Sequence, residues 1–233
     1  MTDQPAKSAV NTLAARSPGP SYQDLLDREI NPVPDSLREN TNPYLGSTNL
    51  SVDRYLSREF HEQEVEHVWQ RTWQAVCRET EIAEPGDTHV YDIVRFSILV
   101  CRDEQGDIKA FRNTCLHRGR QLVDANGNYN QLRCPYHAFT WGLDGEFRGA
   151  PCEWDFPHIK ASEFGLPQVQ VDTWGGWVFI NMDPDAEPLQ DYLGVLPTHF
   201  ARWKPENAYK MLHVEKVIPC NWKVGWEAFI ESY

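Results

Sequence analysis

The sequence predicts an α+β protein: a mainly antiparallel β domain with cluster-binding loops, preceded by a helix and followed by the beginning of a second α+β domain. Three observations predict it. Apolar residues recur at helical spacing through residues 60–73, short β-branched runs broken by turn signals fill residues 90–111 and 169–180, and the pattern turns helical and mixed from Pro188. Hydrophobic residues make up 41% of the 233, with nine Trp and nine Tyr, which suits a packed core and not a disordered chain.

In chain order, residues 1–46 are rich in Pro, Ser, Asn and charge without periodicity, and read as a loosely ordered leader suited to wrapping onto a partner. Residues 47–183 form the central domain. It opens with one amphipathic helix from Phe60 to Trp73, in which Val65, Val68, Trp69 and Trp73 mark the buried stripe. Both tryptophans read as core residues and not as cofactor contacts. Strands follow at Val90 to Val94 and Ser97 to Val100; a turn containing Gly106 leads into a third at Ile108 to Phe111. Val169 to Trp174 and Trp177 to Ile180 flank Gly175-Gly176, a two-residue hairpin signal. Residues 184–233 begin the second domain, with a helix expected over Asn221 to Glu231. No internal repeat is apparent.

The formal net charge of −12 argues against a nucleic-acid partner, because phosphate binding needs a basic face. Such acidity is ordinary for a soluble surface, and alternatively could dock a basic redox partner. The start, MTDQPAKSAV, lacks the basic-then-apolar pattern of a secretory signal, and no stretch has the roughly 18 apolar residues of a membrane span. Six cysteines without an export signal favour metal ligation over disulfides, so the expected setting is cytoplasmic, away from membranes.

The chemistry is concentrated in Cys115-Leu116-His117-Arg118-Gly119 and Cys134-Pro135-Tyr136-His137, a C-x-H and a C-x-x-H separated by sixteen residues. A common zinc finger groups two Cys on one arm and two His on the other. Here each arm brings one thiolate and one imidazole, which suits two unlike irons, one taking both sulfurs and the other both nitrogens. That is the ligand split of a Rieske [2Fe–2S] centre. Neutral imidazoles place less negative charge on iron than thiolates do, so the reduced cluster is stabilised. The potential then lies at about −150 to +300 mV, against about −400 mV for the all-cysteine plant type. Arg118, Gly119 and Trp141 are expected to shape the pocket around this cluster. Cys77, Cys101, Cys152 and Cys220 share no ligand spacing and read as buried free thiols. His61, His67, His89, His158, His199 and His213 lack a partner at metal spacing and read as surface or satisfied core residues.

From about Tyr55 to the last residue the chain resembles the large (α) subunit of the Rieske non-haem iron oxygenases, which include the aromatic-ring-hydroxylating dioxygenases. The resemblance rests on the helix ending in Trp73, on Glu84-Pro85-Gly86-Asp87, on the two ligand arms, on Trp174 through Asn181, and on Asn221-Trp222-Lys223 followed by Glu227, Phe229, Glu231 and Tyr233. It implies that electrons from NAD(P)H reach the cluster through a reductase, in some members with a ferredoxin. A mononuclear Fe(II), held by two His and one Asp, then activates O₂ to hydroxylate an aromatic or related organic substrate. It also implies a trimer, in some members with a β subunit. The family's first Fe(II) ligand follows the position of Tyr233, so the resemblance implies a chain truncated at the start of the catalytic domain. Glu231 matches the family's bridging carboxylate, which would link His137 of one chain to an iron-ligating histidine of its neighbour; read from residues alone, it is an exposed helix-end glutamate. Ala228 stands where the family's motif commonly has Asn, which puts in doubt any polar contact that the Asn makes near the iron. The alternatives are a stand-alone Rieske electron carrier and a zinc-stabilised binding module.

Overall fold

The computed structural model describes residues 19–38 and 48–230. The chain divides into two compact units, one ending at Ser51 and the other beginning at Val52. In the first, where the sequence shows no periodicity, two short helices form: α1 (Tyr22–Asp27) and α2 (Asp35–Arg38). A capping box explains α1. The Asp24 N–H donates to Ser21 Oγ at 3.1 Å, while the Ser21 N–H donates to Asp24 Oδ2 at 2.8 Å.

The second unit opens with α3 (Asp53–Leu56) and α4 (Arg58–Glu64), the latter capped by Ser57, whose hydroxyl accepts from the Phe60 N–H at 3.2 Å. From Val65 to Trp69 the helix continues as a wider π turn, with the Gln70 N–H donating to Val65 O at 3.1 Å. The helix expected from Phe60 to Trp73 therefore begins two residues earlier and ends at Trp69. Thr72 Oγ1 donates to Val68 O at 2.9 Å and closes that end. Trp73 lies beyond the helix, its Nε1 donating to Glu187 O at 2.9 Å, and packs with Leu189 and Leu193 in a small core of its own.

Ten strands in three antiparallel sheets follow among the described residues. They are β1 (Gln74–Arg78), β2 (Asp87–Ile93), β3 (Phe96–Arg102), β4 (Ile108–Arg112), β5 (Gly127–Asn128), β6 (Leu132–Arg133), β7 (Thr140–Trp141), β8 (Phe147–Gly149), β9 (Gln170–Trp174) and β10 (Trp177–Asn181). The sheet orders are β1-β10-β9, β4-β3-β2-β5 and β6-β7-β8. Three of these strands, β2, β3 and β4, and the β9–β10 hairpin carry the alternation or turn chemistry read above. Gly175 and Gly176, at φ +60° and +77°, supply the two left-handed residues that such a two-residue hairpin needs. Strand β3 is buried along most of its length and separates two cores. Leu99 and Cys101 face the core that reaches the ligand arms, while Ile98 and Val100 face the one beneath β1 and β10.

After β10 come α5 (Leu189–Leu193), α6 (Leu196–Phe200) and α7 (Trp222–Ile230), the last close to the expected span. Helix α7 is tied to the entry helices by buried Glu64, which accepts from Lys223 Nζ at 2.5 Å and from Trp222 Nε1 at 3.3 Å. Tyr55 adds a hydrogen bond from its hydroxyl to Glu227 Oε1 at 2.7 Å. Arg78, almost fully buried on β1, donates to the carbonyls of Gly175, Pro205 and Ala208 at 2.8, 3.0 and 2.5 Å, fastening the segment after α6 to the β9–β10 hairpin. Among the described residues no helix is long and apolar enough to cross a membrane.

Candidate metal centre

The first arm leaves β4 and the second joins β6 to β7, and the two have the same backbone pattern. In each, the cysteine N–H bonds to the carbonyl five residues on (Arg120 and Phe139, both at 2.8 Å), and the residue four on donates back to the cysteine carbonyl (Gly119 at 2.9 Å, Ala138 at 3.0 Å). That fourth residue must be left-handed for the chain to turn back: Gly119 has φ +74° and Ala138 φ +57°.

Both cysteines are 2% exposed and belong to the larger core, against Leu122, Leu132, Phe139 and Trp141. Their partners His117 and His137 lie beside one another, ring centroids 4.8 Å apart at 72°. Four ring nitrogens are thus available, and two of them, His117 Nδ1 and His137 Nδ1, are buried without any hydrogen-bond partner. Such orphaned acceptors are rare in native proteins, because a buried polar atom left unpaired costs about 1–3 kcal/mol. Beside two buried thiols they form a donor set that fits two metals. Among the described residues no three His, Cys, Asp or Glu side chains converge on one ion. Two thiolates on one iron and two imidazoles on the other would use both buried thiols and both orphaned nitrogens.

The local electrostatics keep these donors uncharged until a metal takes the thiol protons. Burial holds the Cys115 thiol above its ordinary range; the N–H groups of His117 and Arg118 oppose this, and the neighbouring Cys134 thiol adds to it. Burial, then the charges of His137 and Arg118, push His117 below the usual imidazole range, so the ring stays neutral and free to ligate.

Residues not singled out in the sequence hold this geometry. Asn113, 1% exposed at the base of the first arm, donates from Nδ2 to Ser97 Oγ (3.1 Å) and Val123 O (2.7 Å), and its Oδ1 accepts from the N–H groups of Leu122 (3.0 Å) and Val123 (3.1 Å). It closes the loop that carries Cys115 and His117. A short amide at the point where a chain leaves a strand was the available signal, since Asn commonly bonds local backbone. Phe139 stacks on His117 with centroids 4.6 Å apart and planes 9° apart, and Tyr136 covers His137 at 3.8 Å.

Of the three residues expected to shape the pocket, Gly119 does so through its turn. Trp141 stands one layer back, buried behind Phe139, its Nε1 donating to Phe164 O at 2.8 Å. Arg118 is exposed, with no ion-pair partner among the described residues. Cys77 and Cys101 are the buried free thiols expected, burial pushing each up to about 12. Cys152 and Cys220 are exposed, contrary to expectation, because they sit on irregular segments outside the strands, where no core closes over them. Glu231 lies outside the described residues.

A mixed thiolate–imidazole site on two facing loops of a small β domain defines the class of protein. A family model described as the Rieske [2Fe-2S] domain matches residues 72–163, which contain all four donors. Residues 72–163 therefore form a Rieske [2Fe–2S] domain, and the relatives described next are subunits of a dioxygenase and a monooxygenase. It is 32% identical over 181 residues to the biphenyl 2,3-dioxygenase subunit alpha of Rhodococcus jostii (strain RHA1), covering 75% of this chain and 39% of that protein. To the carnitine monooxygenase oxygenase subunit of Escherichia coli (strain K12) it is 32% identical over 183 residues, covering 77% and 49%. The fold superposes on the crystal structure of the quaternary ammonium Rieske monooxygenase CntA with a TM-score of 0.74 at 27% identity, over 78% of this chain and 52% of that one. For naphthalene 1,2-dioxygenase from Rhodococcus sp. the TM-score is 0.58 at 36% identity, over 61% and 33%. The chain thus spans half or less of the length of the curated relatives named here.

Proposed function

We propose that this chain is the electron-receiving portion of the α subunit of a cytoplasmic Rieske oxygenase, with Cys115 and Cys134 holding one iron and His117 and His137 the other. The observation that carries the assignment is the pair of buried, unpartnered Nδ1 atoms beside two buried thiols. When bound, the cluster supplies reversible one-electron storage at a potential raised by its two imidazoles. The chain's own residues do the rest. The thiols lose their protons on loading, the imidazoles stay neutral, and the aromatic core behind Phe139 excludes water from the sulfur side.

In the whole protein we place residues 184–233 at the start of the domain that holds a mononuclear Fe(II), where O₂ is activated and an aromatic or related organic substrate is hydroxylated. A reductase, with or without a ferredoxin, delivers the electrons. The assembly is a trimer of such subunits, and Glu231 is the carboxylate through which His137 of one chain couples to an iron-ligating histidine of the next. A carboxylate suits this role because it accepts from two imidazole N–H groups at once.

The test is anaerobic purification with iron and sulfide supplied. The expected product is red-brown, with two irons per chain and, once reduced, the rhombic low-average-g resonance of a mixed-ligand cluster. Cys115→Ala and Cys134→Ala should each abolish the visible absorption. A colourless protein with stoichiometric zinc would refute the assignment.

A further inference from the structure

The two imidazoles are supported differently. His137 is covered by Tyr136, its chain neighbour, which is 61% exposed. His117, on the first arm, lies flat against Phe139, which belongs to the second arm and is 2% exposed. Phe139 is in turn fixed by other rings, with centroids at 5.4 Å to Phe156, 6.0 Å to Phe147 and 6.2 Å to Phe164. An imidazole is free to rotate about its bond to Cβ unless a hydrogen bond or a packed face stops it. The buried Nδ1 of His117 has no hydrogen bond, so before a metal binds packing sets the ring plane, with Phe139 against its face and Phe156 edge-on at 6.0 Å.

We infer that Phe139 is a positioning residue for the metal centre: by stacking across the gap between the arms it sets the plane of the His117 ring, and so the direction in which Nδ1 meets its iron. This rests on the ligand assignment above. A ring held at 9° by a group itself locked in a core cannot turn without displacing that core, whereas the exposed Tyr136 can move with His137. Orientation at His117 is therefore a property of the second arm's sequence and not of the first arm's.

The experiment is pulsed EPR of the reduced, iron-loaded chain, which resolves the nitrogen couplings of the two imidazoles. Wild type should show two; absence of both would remove the ligand assignment, independently of any role for Phe139. Phe139→Leu keeps an apolar side chain but removes the flat face, and one of the two couplings should shift or broaden while the other stays. Phe164→Leu is the control, because Phe164 packs on the same core yet makes no ring contact with His117 among the described residues; both couplings should stay in place. Unmoved couplings in Phe139→Leu, or equal displacement in the two variants, would overturn the inference. Loss of iron from Phe139→Leu at an unchanged circular dichroism spectrum, with Phe164→Leu still loaded, would support it. Should Phe139→Leu fail to fold, Phe139→Met, apolar and near Phe in volume but without a flat face, decides: one displaced coupling supports the inference and two unmoved ones overturn it.

Discussion

Removing the Asn113 side chain should loosen the first Cys/His arm, which it ties at its base. In Asn113→Ala the N–H groups of Leu122 and Val123 and the carbonyl of Val123 lose their partners, while Ser97 Oγ keeps the bond from Gln121 Nε2 at 2.8 Å. Leu122 and Val123 are buried, so water does not replace what is lost. Three buried backbone groups, each costing about 1–3 kcal/mol when orphaned, set a loss of at least about 3 kcal/mol. For a chain of this size that is a fall of roughly 6–12 °C in melting temperature. Urea unfolding of the loaded protein measures it, and iron content after dialysis against a chelator reports on the arm directly: the variant should release iron much faster than wild type. A stability within about 0.5 kcal/mol of wild type, the range of an ordinary surface substitution, would refute the argument that Asn113 holds the arm.

The left-handed turn residues predict opposite signs at matching positions. Gly119→Ala meets open space, so its cost is backbone strain alone, about 1 kcal/mol, whereas Ala138→Gly relieves the same strain and should stabilise by a similar amount; equal signs in thermal unfolding would contradict the shared turn. Alkylation needs thiolate, so at pH 8 iodoacetamide should label Cys152 and Cys220, while Cys77 and Cys101, raised to about 12, resist until the protein is unfolded, as peptide mass spectrometry will show. The sign for stability follows. These two thiols are ionised in the unfolded chain above pH 9 but not in the folded one, so their contribution is full below pH 9 and is lost as pH rises towards about 12, a slope that Cys77→Val with Cys101→Val should flatten in urea titrations. Glu64→Ala leaves the partly buried Lys223 without its counter-charge and should cost about 3 kcal/mol, against under about 1 kcal/mol for Glu62→Ala in its exposed pair with Arg95; equal melting temperatures would show that Glu64 does not anchor α7.

The parts of this molecule legible in its sequence are those where local chemistry and tertiary environment agree. Gly175-Gly176 demands a turn whatever surrounds it, and the two Cys/His arms stand out because Cys and His at such spacing have few other uses. The end of the first helix was not legible. Val65, Val68, Trp69 and Trp73 fit one stripe, but Trp73 finds its partners in Leu189 and Leu193, more than a hundred residues away, and the chain widens into a π turn and leaves the helix before reaching it. Strand β1 was missed for a related reason: its buried Arg78 and Gln74 look polar until the carbonyls they bond, at Gly175 and Trp69, are known. The exposure of Cys152 and Cys220 likewise depends on where the strands stop and not on anything in the thiols themselves.

The same distinction applies within the metal centre. The proposed ligands are written locally, as two cysteines and two histidines, and the two arms use different spacings, C-x-H and C-x-x-H, on one backbone turn. Because the turn is the same, the extra residue in the second arm changes only the point at which its imidazole leaves the loop. That difference explains why the rings need different support: His137 emerges next to Tyr136 and is covered from its own arm, while His117 emerges facing the other arm and rests on Phe139. The proposed donors therefore come equally from both loops, but the ring nearest each imidazole comes from residues 136–139, with Phe156 adding an edge contact to His117 at 6.0 Å. A change in the second arm perturbs two imidazoles, whereas a change in the first, held at its base by Asn113, perturbs one.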